Sequence, residues 1–227
     1  MSGTAASREN RRPYVLVLFS GALLGFEDAL ESLRRLTQQG WPLDWNQTPA
    51  ASRILDQEAI ASVGMTAAGP ELVRSHEALV IPTMTVNLAA KVANGIGDCL
   101  ASNVMAEFIM TNKPVIASVS GVCPDAPEKR SWFPDMPEGY ATMLRTTLGR
   151  LASFGVHLAP AKSLDKALNR AFETEAGAGA EYRGQVLTAA AVAGFPTGTT
   201  VQLAAGTRVT ALARDAARER GITLRQT

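Results

Sequence analysis

The sequence contains few of the side chains that bind metals or form disulfide bonds. Among its 227 residues there are two cysteines and two histidines. Cys99 and Cys123 do not form a C-x-x-C motif, and H-E-x-x-H is absent, so neither a disulfide framework nor a zinc site is predicted. A reducing cytoplasm is the expected location. We interpret His76 and His157 as packed or capping residues rather than general bases.

The charges are nearly balanced, and long apolar runs are missing. Lysine and arginine number 22 and aspartate and glutamate 21, which gives a net charge of +1. There is no basic field to attract a nucleic acid and no apolar stretch long enough for a membrane span, so neither is expected as a partner. The polar start, residues 1–12, is predicted to be a disordered leader.

Common nucleotide-binding and hydrolase motifs are also absent. The loop after the first apolar run matches neither G-x-G-x-x-G nor G-x-x-x-x-G-K-[ST], which argues against a standard dinucleotide fold and a P-loop NTPase. G-x-S-x-G does not occur, so a hydrolase nucleophile elbow has no support.

Apolar runs alternate regularly with helical patterns along most of the chain. The runs are YVLVLF, the stretch near Leu43–Gln47, EALVIPT, PVIASVS and VHLAP. Helices are predicted between them, including one over residues 87–112. Because strands that alternate with helices form right-handed crossovers, the sequence predicts an α/β fold with a doubly wound, mainly parallel Rossmann-like sheet over residues 13–174.

The end of the chain differs from this pattern. EAGAGAEYRG, residues 175–184, is predicted to be a linker, and residues 185–227 a small C-terminal α+β module. Its one predicted helix begins after Thr210 as N-cap, with Ala213 and Ala217 on one face. No internal repeat is evident. The module is too small for an ample core, so we expect it to pack on the main domain or on a partner.

Polar and small residues follow four of the predicted strands. They are Ser20-Gly21-Ala22, Gln47-Thr48-Pro49, Thr83 to Asn87 and Ser118 to Asp125. The carboxyl ends of parallel strands meet helix N-termini at one edge of a sheet, so a ligand site is expected there. A hydroxyl and a glycine before a helix suit a phosphate, and Ser20 and Thr48 can equally be helix N-caps.

The segment from Thr83 to Asp98 has the most distinctive polar pattern. Thr83, Thr85 and Asn87 offer hydrogen-bonding groups suited to a planar heteroaromatic ligand, and an N-cap is the alternative for Asn87. Lys91 and Asp98 are interpreted as a structural pair or an intersubunit contact. Further on, residues 125–138 form a long irregular loop of the kind that covers a site or contacts a neighbouring subunit.

Four stretches together resemble a known family. VLVLFSGA, QTPAA, IPTMTVNLAAKVANGIGDCL and KPVIASVSGVCP resemble the flavin mononucleotide proteins of the homo-oligomeric flavin-containing cysteine decarboxylase superfamily. That superfamily also includes flavin prenyltransferases and dihydromethanopterin-reductase-like flavoproteins. The pattern N-x-x-x-K-x-A-x-G-I-x-D-x-L, which starts at Asn87, is its most specific element.

The resemblance implies a flavoprotein-type fold that binds FMN between the subunits of a homo-oligomer, a trimer or a dodecamer. It implies that Ser20, Gly21 and Thr48 hold the flavin phosphate, and that Thr85 and Asn87 approach the ring or a substrate. We assign the cofactor site to ten residues: Ser20, Gly21, Ala22, Thr48, Thr83, Thr85, Asn87, Lys91, Ser118 and Ser120.

The chain also departs from this family. TAAGPELVRS has no histidine where the decarboxylases carry one, and Gly121-Val122-Cys123-Pro124 replaces their proline-methionine-asparagine motif. A prenyltransferase would need a dimethylallyl phosphate site, for which Arg130 and Arg145 are candidates. We therefore predict an FMN-dependent oxidoreductase or electron-transfer protein. The alternatives are a flavin prenyltransferase-like enzyme, a phosphopantothenoylcysteine-decarboxylase-like enzyme and a non-catalytic assembly subunit.

The C-terminal sequence suggests further partners. GTRVTALARDAARERGITL resembles C-terminal extensions of proteins associated with bacterial microcompartments. The resemblance implies a microcompartment shell protein as partner and a place inside a microcompartment as an alternative location, whereas the predicted electron-transfer role implies a redox partner.

Overall fold

The computed structural model describes residues 12–177, 180–195 and 199–226. All but one residue of the predicted leader therefore lies outside the described part of the chain. The chain divides into two compact units, of which the first ends at Leu168 and the second begins at Asn169.

The first unit is built on a six-stranded sheet whose described strand pairs are all parallel. Its strands are β1 (Val15–Phe19), β2 (Leu43–Gln47), β3 (Thr66–Ala67), β4 (Ala78–Ile81), β5 (Val115–Ser118) and β6 (Val156–Ala159). They are arranged in the order β3-β2-β1-β4-β5-β6. Every residue of β1 and β4 is buried, as expected for strands covered on both faces. The direction of the strand order reverses between β1 and β4, which makes this the switch point of the sheet.

Helices connect these strands, and a last helix follows β6 and continues into the second unit. They are α1 (Phe26–Gln38), α2 (Pro49–Ile54), α3 (Gln57–Ala61), α4 (Val86–Ala93), α5 (Leu100–Met110), α6 (Pro127–Trp132), α7 (Glu138–Ser153) and α8 (Leu164–Gly177). Apolar residues of α4, α5 and α7 form one core with β1 and β4, in which Met105, Phe108 and Leu144 have no solvent exposure. The predicted doubly wound α/β fold is confirmed.

The predicted helix over residues 87–112 is wrong in one respect, because it is two helices. Gly95 has φ +71°. Its N–H donates to the carbonyl of Val92, and the N–H of Ile96 donates to the carbonyl of Lys91. This left-handed glycine ends α4, because L side chains rarely adopt that conformation. The chain then continues through exposed residues to the start of α5.

The described part of the second unit contains the end of α8, short parallel strands and two further helices. The strands are β7 (Ala180–Tyr182), β8 (Val186–Leu187), β9 (Thr200–Leu203), β10 (Arg208–Val209) and β11 (Thr223–Gln226), and the helices are α9 (Ala189–Ala193) and α10 (Ala211–Glu219). β11-β9-β7 form one sheet and β10-β8 another. The predicted linker, residues 175–184, holds the end of α8 and β7. The predicted domain boundaries remain a prediction.

A structural repeat that is not evident in the sequence organises the second unit. Each half has a strand, a glycine turn, a short strand and a helix capped by a threonine. Thr188 accepts a hydrogen bond from the N–H of Ala191 at 3.3 Å, and Thr210 accepts one from the N–H of Ala213 at 3.2 Å. The predicted cap of α10 is thus confirmed, and Ala213 and Ala217 are buried as expected.

No helix of the described ranges is long and apolar enough to cross a membrane. No group of three histidine, cysteine, aspartate or glutamate side chains there could hold a metal ion.

Candidate active site at the carboxyl edge of the sheet

The loops that follow β1, β4 and β5 pack tightly against one another. A Cβ on Gly121 would lie 2.6 Å from the carbonyl oxygen of Met84 and 2.9 Å from the Cβ of Ala22. Real Cβ atoms essentially never make contacts this short. The three loops can therefore meet only because residue 121 is glycine.

Ser20 and Thr83 form a reciprocal clamp between the β1 and β4 loops. The Thr83 hydroxyl donates to the Ser20 carbonyl at 2.6 Å and accepts from the Ser20 N–H at 3.1 Å. The Ser20 hydroxyl donates to the Thr83 carbonyl at 2.6 Å and accepts from the N–H of Thr85 at 3.2 Å. Both side chains are buried, so they support the rim from behind.

The expectation that Ser20 and Gly21 directly precede a helix is wrong. Helix α1 begins only at Phe26, and its N-cap is Gly25 in a left-handed conformation without a side-chain cap. Gly25 is needed here for a second reason, since a Cβ would lie 2.7 Å from the Cβ of Ser120.

A cavity of about 340 Å³, called here the rim cavity, opens where these loops meet. It is lined by Gly21, Ala22, Leu23, Leu24, Ile54, Thr85, Val86, Gly121, Lys129, Trp132 and Phe133. Three of the ten predicted site residues, Gly21, Ala22 and Thr85, are therefore brought together at one cavity.

The N-terminus of α4 lies at the rim cavity. Thr85 is its N-cap, because the Thr85 hydroxyl accepts from the N–H of Leu88 at 3.1 Å. The N-cap interpretation of Asn87 is thus wrong: Asn87 is the second residue of α4, and its side chain is exposed. Among the described residues, the N–H groups of Gly21, Val86 and Asn87 have no partner. Such N–H groups at a helix N-terminus favour an anion.

Thr48 is also a helix cap. Its hydroxyl accepts from the N–H of Ala51 at 3.2 Å at the start of α2, as one interpretation of the sequence expected. A Cβ on Gly21 would lie 3.1 Å from Ile54 and 3.3 Å from Ala50, so α2 packs directly against the loop after β1. The phosphate contact assigned to Thr48 remains a prediction.

Lys91 forms the predicted pair with Asp98. Its Nζ lies 2.8 Å from Asp98 Oδ1, and this hydrogen bond raises the pKa of Lys91 and lowers that of Asp98. Asn94 instead donates to the carbonyl of Ala90 and accepts from Arg150 at 2.8 Å. Lys91 does not line the rim cavity. It ties α4 to the exposed segment that follows.

Ser118 and Ser120 connect β5 to the turn after β6. The buried Ser118 hydroxyl accepts from the N–H of Ser120 at 3.3 Å, and the Ser120 hydroxyl accepts from the N–H of Ala161 at 3.2 Å. Neither residue lines the rim cavity. The cofactor contacts assigned to Ser118 and Ser120 therefore remain a prediction. The contacts that the structure shows for them are these hydrogen bonds within the protein.

The two histidines lie away from the rim cavity. His76 is buried just before β4, with its ring nitrogens 2.7 Å from the carbonyl oxygen of Leu72 and 3.2 Å from Asp44 Oδ2. Its interpretation as a packed residue is confirmed. His157 is exposed on β6, so it is not packed. Neither ring is placed to act at the rim cavity.

Lys129 is a rim residue that sequence reasoning missed. It is about nine-tenths buried, its Nζ donates to the carbonyl of Gly121 at 3.0 Å, and it lies 5.0 Å from the ring centre of Phe133. Burial lowers the pKa of its ammonium group. The sequence shows a lysine close to Pro127, at the start of a helix. It does not show that this helix, α6, folds back onto Gly121, so Lys129 could not be assigned to the site.

Arg130 and Arg145, the candidate phosphate ligands, are both engaged with Asp125. Arg145 donates to both Asp125 oxygens at 2.8 and 2.9 Å and to Glu138 at 2.7 Å, and Arg130 donates to Asp125 at 2.9 Å. These bonds lower the pKa of Asp125 and raise that of Arg145. Neither arginine lines the rim cavity. They hold the loop over residues 125–138 instead.

Several solved structures share this fold. The FMN-binding protein AtHal3 has a TM-score of 0.52 at 16% identity, and 72% of this chain covers 98% of that one. HAL3 from Cryptococcus neoformans has a TM-score of 0.52 at 17% identity, and the match covers 72% of this chain and 97% of that one. AnUbiX (PadA1), in complex with FMN and dimethylallyl pyrophosphate, has a TM-score of 0.51 at 11% identity, and the match covers 72% of this chain and 92% of that one. At these identities the likeness shows the fold alone.

The family follows from the sequence match. No sequence among the curated proteins matches the chain. The family model described as Flavoprotein matches residues 4–128, which is more than half of the 227 residues. The match runs from before β1 to within α6, so it includes every loop of the rim cavity up to Gly121. This chain belongs to the Flavoprotein family.

Proposed function

We propose that the chain binds FMN at the rim cavity, with the phosphate at the N-terminus of α4. The observation that carries this proposal is that Gly21 and Val86 line the cavity and that their N–H groups have no partner among the described residues. A helix N-terminus attracts a phosphate through its N–H groups and dipole. Gly21 has no side chain of its own, which permits a close approach to its backbone N–H.

The remaining predicted residues divide into contacts and supports. We assign phosphate contacts to Gly21, Ala22 and Thr85, and a ring or substrate contact to the exposed Asn87. Thr48 contributes by capping α2 against the same loop. The buried hydroxyl groups at the ends of β1, β4 and β5 hold the rim in shape. Bound FMN supplies the electron-accepting ring, and the protein supplies binding and orientation.

We further propose an enzyme of the flavin prenyltransferase-like or phosphopantothenoylcysteine-decarboxylase-like kind. An FMN-dependent oxidoreductase or electron-transfer protein, which the sequence predicted, has less support. The similar folds include AnUbiX, solved with FMN and dimethylallyl pyrophosphate, and HAL3 proteins. Lys129 is the one titratable side chain among the described residues that line the rim cavity.

One set of measurements tests both proposals. The purified chain, supplied with FMN, should show flavin absorption that remains after gel filtration, and a colourless protein would contradict FMN binding. Dimethylallyl phosphate with reduced flavin should then give a heavier flavin by mass spectrometry, or 4′-phosphopantothenoylcysteine should lose carbon dioxide. If neither occurs and NAD(P)H reduces the bound flavin with turnover, the oxidoreductase hypothesis is favoured instead.

The proposed assembly is a homo-oligomer, a trimer or a dodecamer, with the flavin between subunits. Light scattering on the eluted full chain measures the oligomer size, and a monomer that retains FMN would contradict the proposal. Docking of residues 185–227 to a shell protein or a redox partner remains a prediction from the sequence.

A further inference from the structure

The second unit has a cavity of its own, called here the turn cavity. Its volume is about 490 Å³, which is within the range of small-molecule sites. It opens where the glycine turns of the two structural repeats meet, and its polar and glycine lining residues are Arg183, Gly184, Gln185, Gly206, Thr207 and Arg208. Every residue described as lining it belongs to the second unit, and none of them lines the rim cavity. The turn cavity is therefore not part of the proposed FMN site.

Hydrogen bonds join the two turns into one wall of the turn cavity. The N–H of Arg208 donates to the carbonyl of Gln185 at 2.8 Å, and the Thr207 hydroxyl donates to the carbonyl of Gly184 at 3.0 Å. A Cβ on Gly184 would lie 2.5 Å from the hydroxyl oxygen of Tyr182, so only a glycine leaves room for the tyrosine ring against the first turn. The backbone of both turns is thus held in place before a ligand binds, and little conformational freedom is lost on binding.

The two turns also present backbone N–H groups to a ligand. No described residue accepts a hydrogen bond from the N–H of Gln185, Ala205 or Gly206. The second turn is closed by the N–H of Thr207, which donates to the carbonyl of Ala204 at 3.0 Å, and Gly206 has φ +85°. A Cβ on Gly206 would meet nothing within 4 Å, so the space beside this turn is open. Successive N–H groups in a turn of this kind form a concave site for an anion.

The side chains that line the turn cavity carry positive charge only. Arg183 and Arg208 both line it, and no carboxylate side chain belongs to its described lining. The guanidinium group of Arg208 has no hydrogen bond or ion pair with another described residue. Residues 180–227 contain six arginines and three acidic residues, although the net charge of the whole chain is only +1. This local excess of positive charge raises the concentration of anions near the second unit.

We propose that the turn cavity binds a small molecule through its phosphate or diphosphate group, with Arg208 donating to that group. A guanidinium group offers two parallel N–H donors to a phosphate, and Arg183 adds a second positive charge. A phosphate group has three strong acceptor oxygens, so it can also accept hydrogen bonds from the N–H groups of the turns. A carboxylate has two oxygens and would leave more of these donors without a partner. The proposal does not depend on FMN binding, because the two cavities share no lining residue.

Isothermal titration calorimetry of the full chain with inorganic diphosphate tests the proposal. The chain is first saturated with FMN and gel-filtered, so that the phosphate site of the rim cavity is filled; if it binds no FMN, the flavin-free chain is titrated. Diphosphate should bind, and succinate, the carboxylate probe, should bind more weakly. Arg208→Met should weaken diphosphate binding about 10- to 100-fold, and Arg208→Lys should restore part of it. The affinity for FMN should be the same in Arg208→Met, because Arg208 does not line the rim cavity.

The matched control is Arg214→Met, which removes one positive charge from α10 at an exposed residue that lines neither the turn cavity nor the rim cavity. It should leave diphosphate binding within a factor of about two. The proposal is overturned if diphosphate does not bind the wild-type chain, if Arg208→Met binds it as tightly as wild type, if both variants weaken it equally, or if succinate binds more tightly than diphosphate. Arg208 is exposed, so the variant should unfold at the wild-type midpoint. Failure of the wild-type chain to bind FMN contradicts the proposed function alone.

Discussion

Gly121 offers the sharpest test of how the rim is built. In Gly121→Ala, the new Cβ would lie 2.6 Å from the Met84 carbonyl oxygen, where ordinary contacts begin at 3.4 Å, and 2.9 Å from Ala22 Cβ. Both neighbours belong to loops that the Ser20–Thr83 clamp holds together, so neither can move alone. Forcing a methyl group into such a contact costs about 1 to 3 kcal/mol. We expect a loss of that size in the free energy of unfolding, together with weaker FMN binding.

The assay is urea unfolding followed by tryptophan fluorescence. All three tryptophans lie in the first unit, so the signal reports that unit. The matched control is Gly149→Ala on α7, where a Cβ would meet nothing within 4 Å. That change should be neutral or stabilise the unit by up to about 1 kcal/mol, because alanine favours helix. If Gly121→Ala and Gly149→Ala unfold alike, the loops do not pack as described.

Three further predictions follow from particular contacts. Ser20→Ala and Thr83→Val should each lower the free energy of unfolding by about 1 to 3 kcal/mol by leaving buried partners unpaired, and the double variant should cost less than the sum; strictly additive losses would argue against one shared network. Asn87→Ala should weaken FMN binding by about 1 to 3 kcal/mol in a flavin fluorescence titration. The unfolding midpoint should not change, because Asn87 caps no helix, and wild-type affinity would remove Asn87 from the site. Burial acts to raise the pKa of Asp165, but hydrogen bonds from Arg35 lower it overall. A carboxyl whose pKa is lower in the folded than in the unfolded state stabilises the folded protein at pH values above its ordinary pKa. This stabilisation is lost as the pH falls below about 4. Asp165→Asn should therefore flatten the acid side of the stability curve, and an unchanged curve would contradict this role.

Local sequence patterns predicted most of the elements of the first unit. The continuous apolar runs of β1 and β4 indicate strands buried on both faces, and both are fully buried. The threonine before Pro49 caps its helix, and Lys91 pairs with Asp98, because both contacts involve residues close along the chain. The same local logic failed at Asn87, because Thr85 caps the same helix two residues earlier and the pattern alone could not choose between them.

The sequence by itself determined the parallel α/β fold and the edge of the sheet at which we propose that a ligand binds, because both follow from periodicity and from strand ends. Only the tertiary structure decided which side chains face that edge. Ser20 and Thr83 bond across 63 residues of chain, and Lys129 returns to Gly121 by way of a helix that no local pattern directs there. Such contacts depend on how segments that are distant along the chain pack together, and the spacing of residues in the sequence does not show that packing.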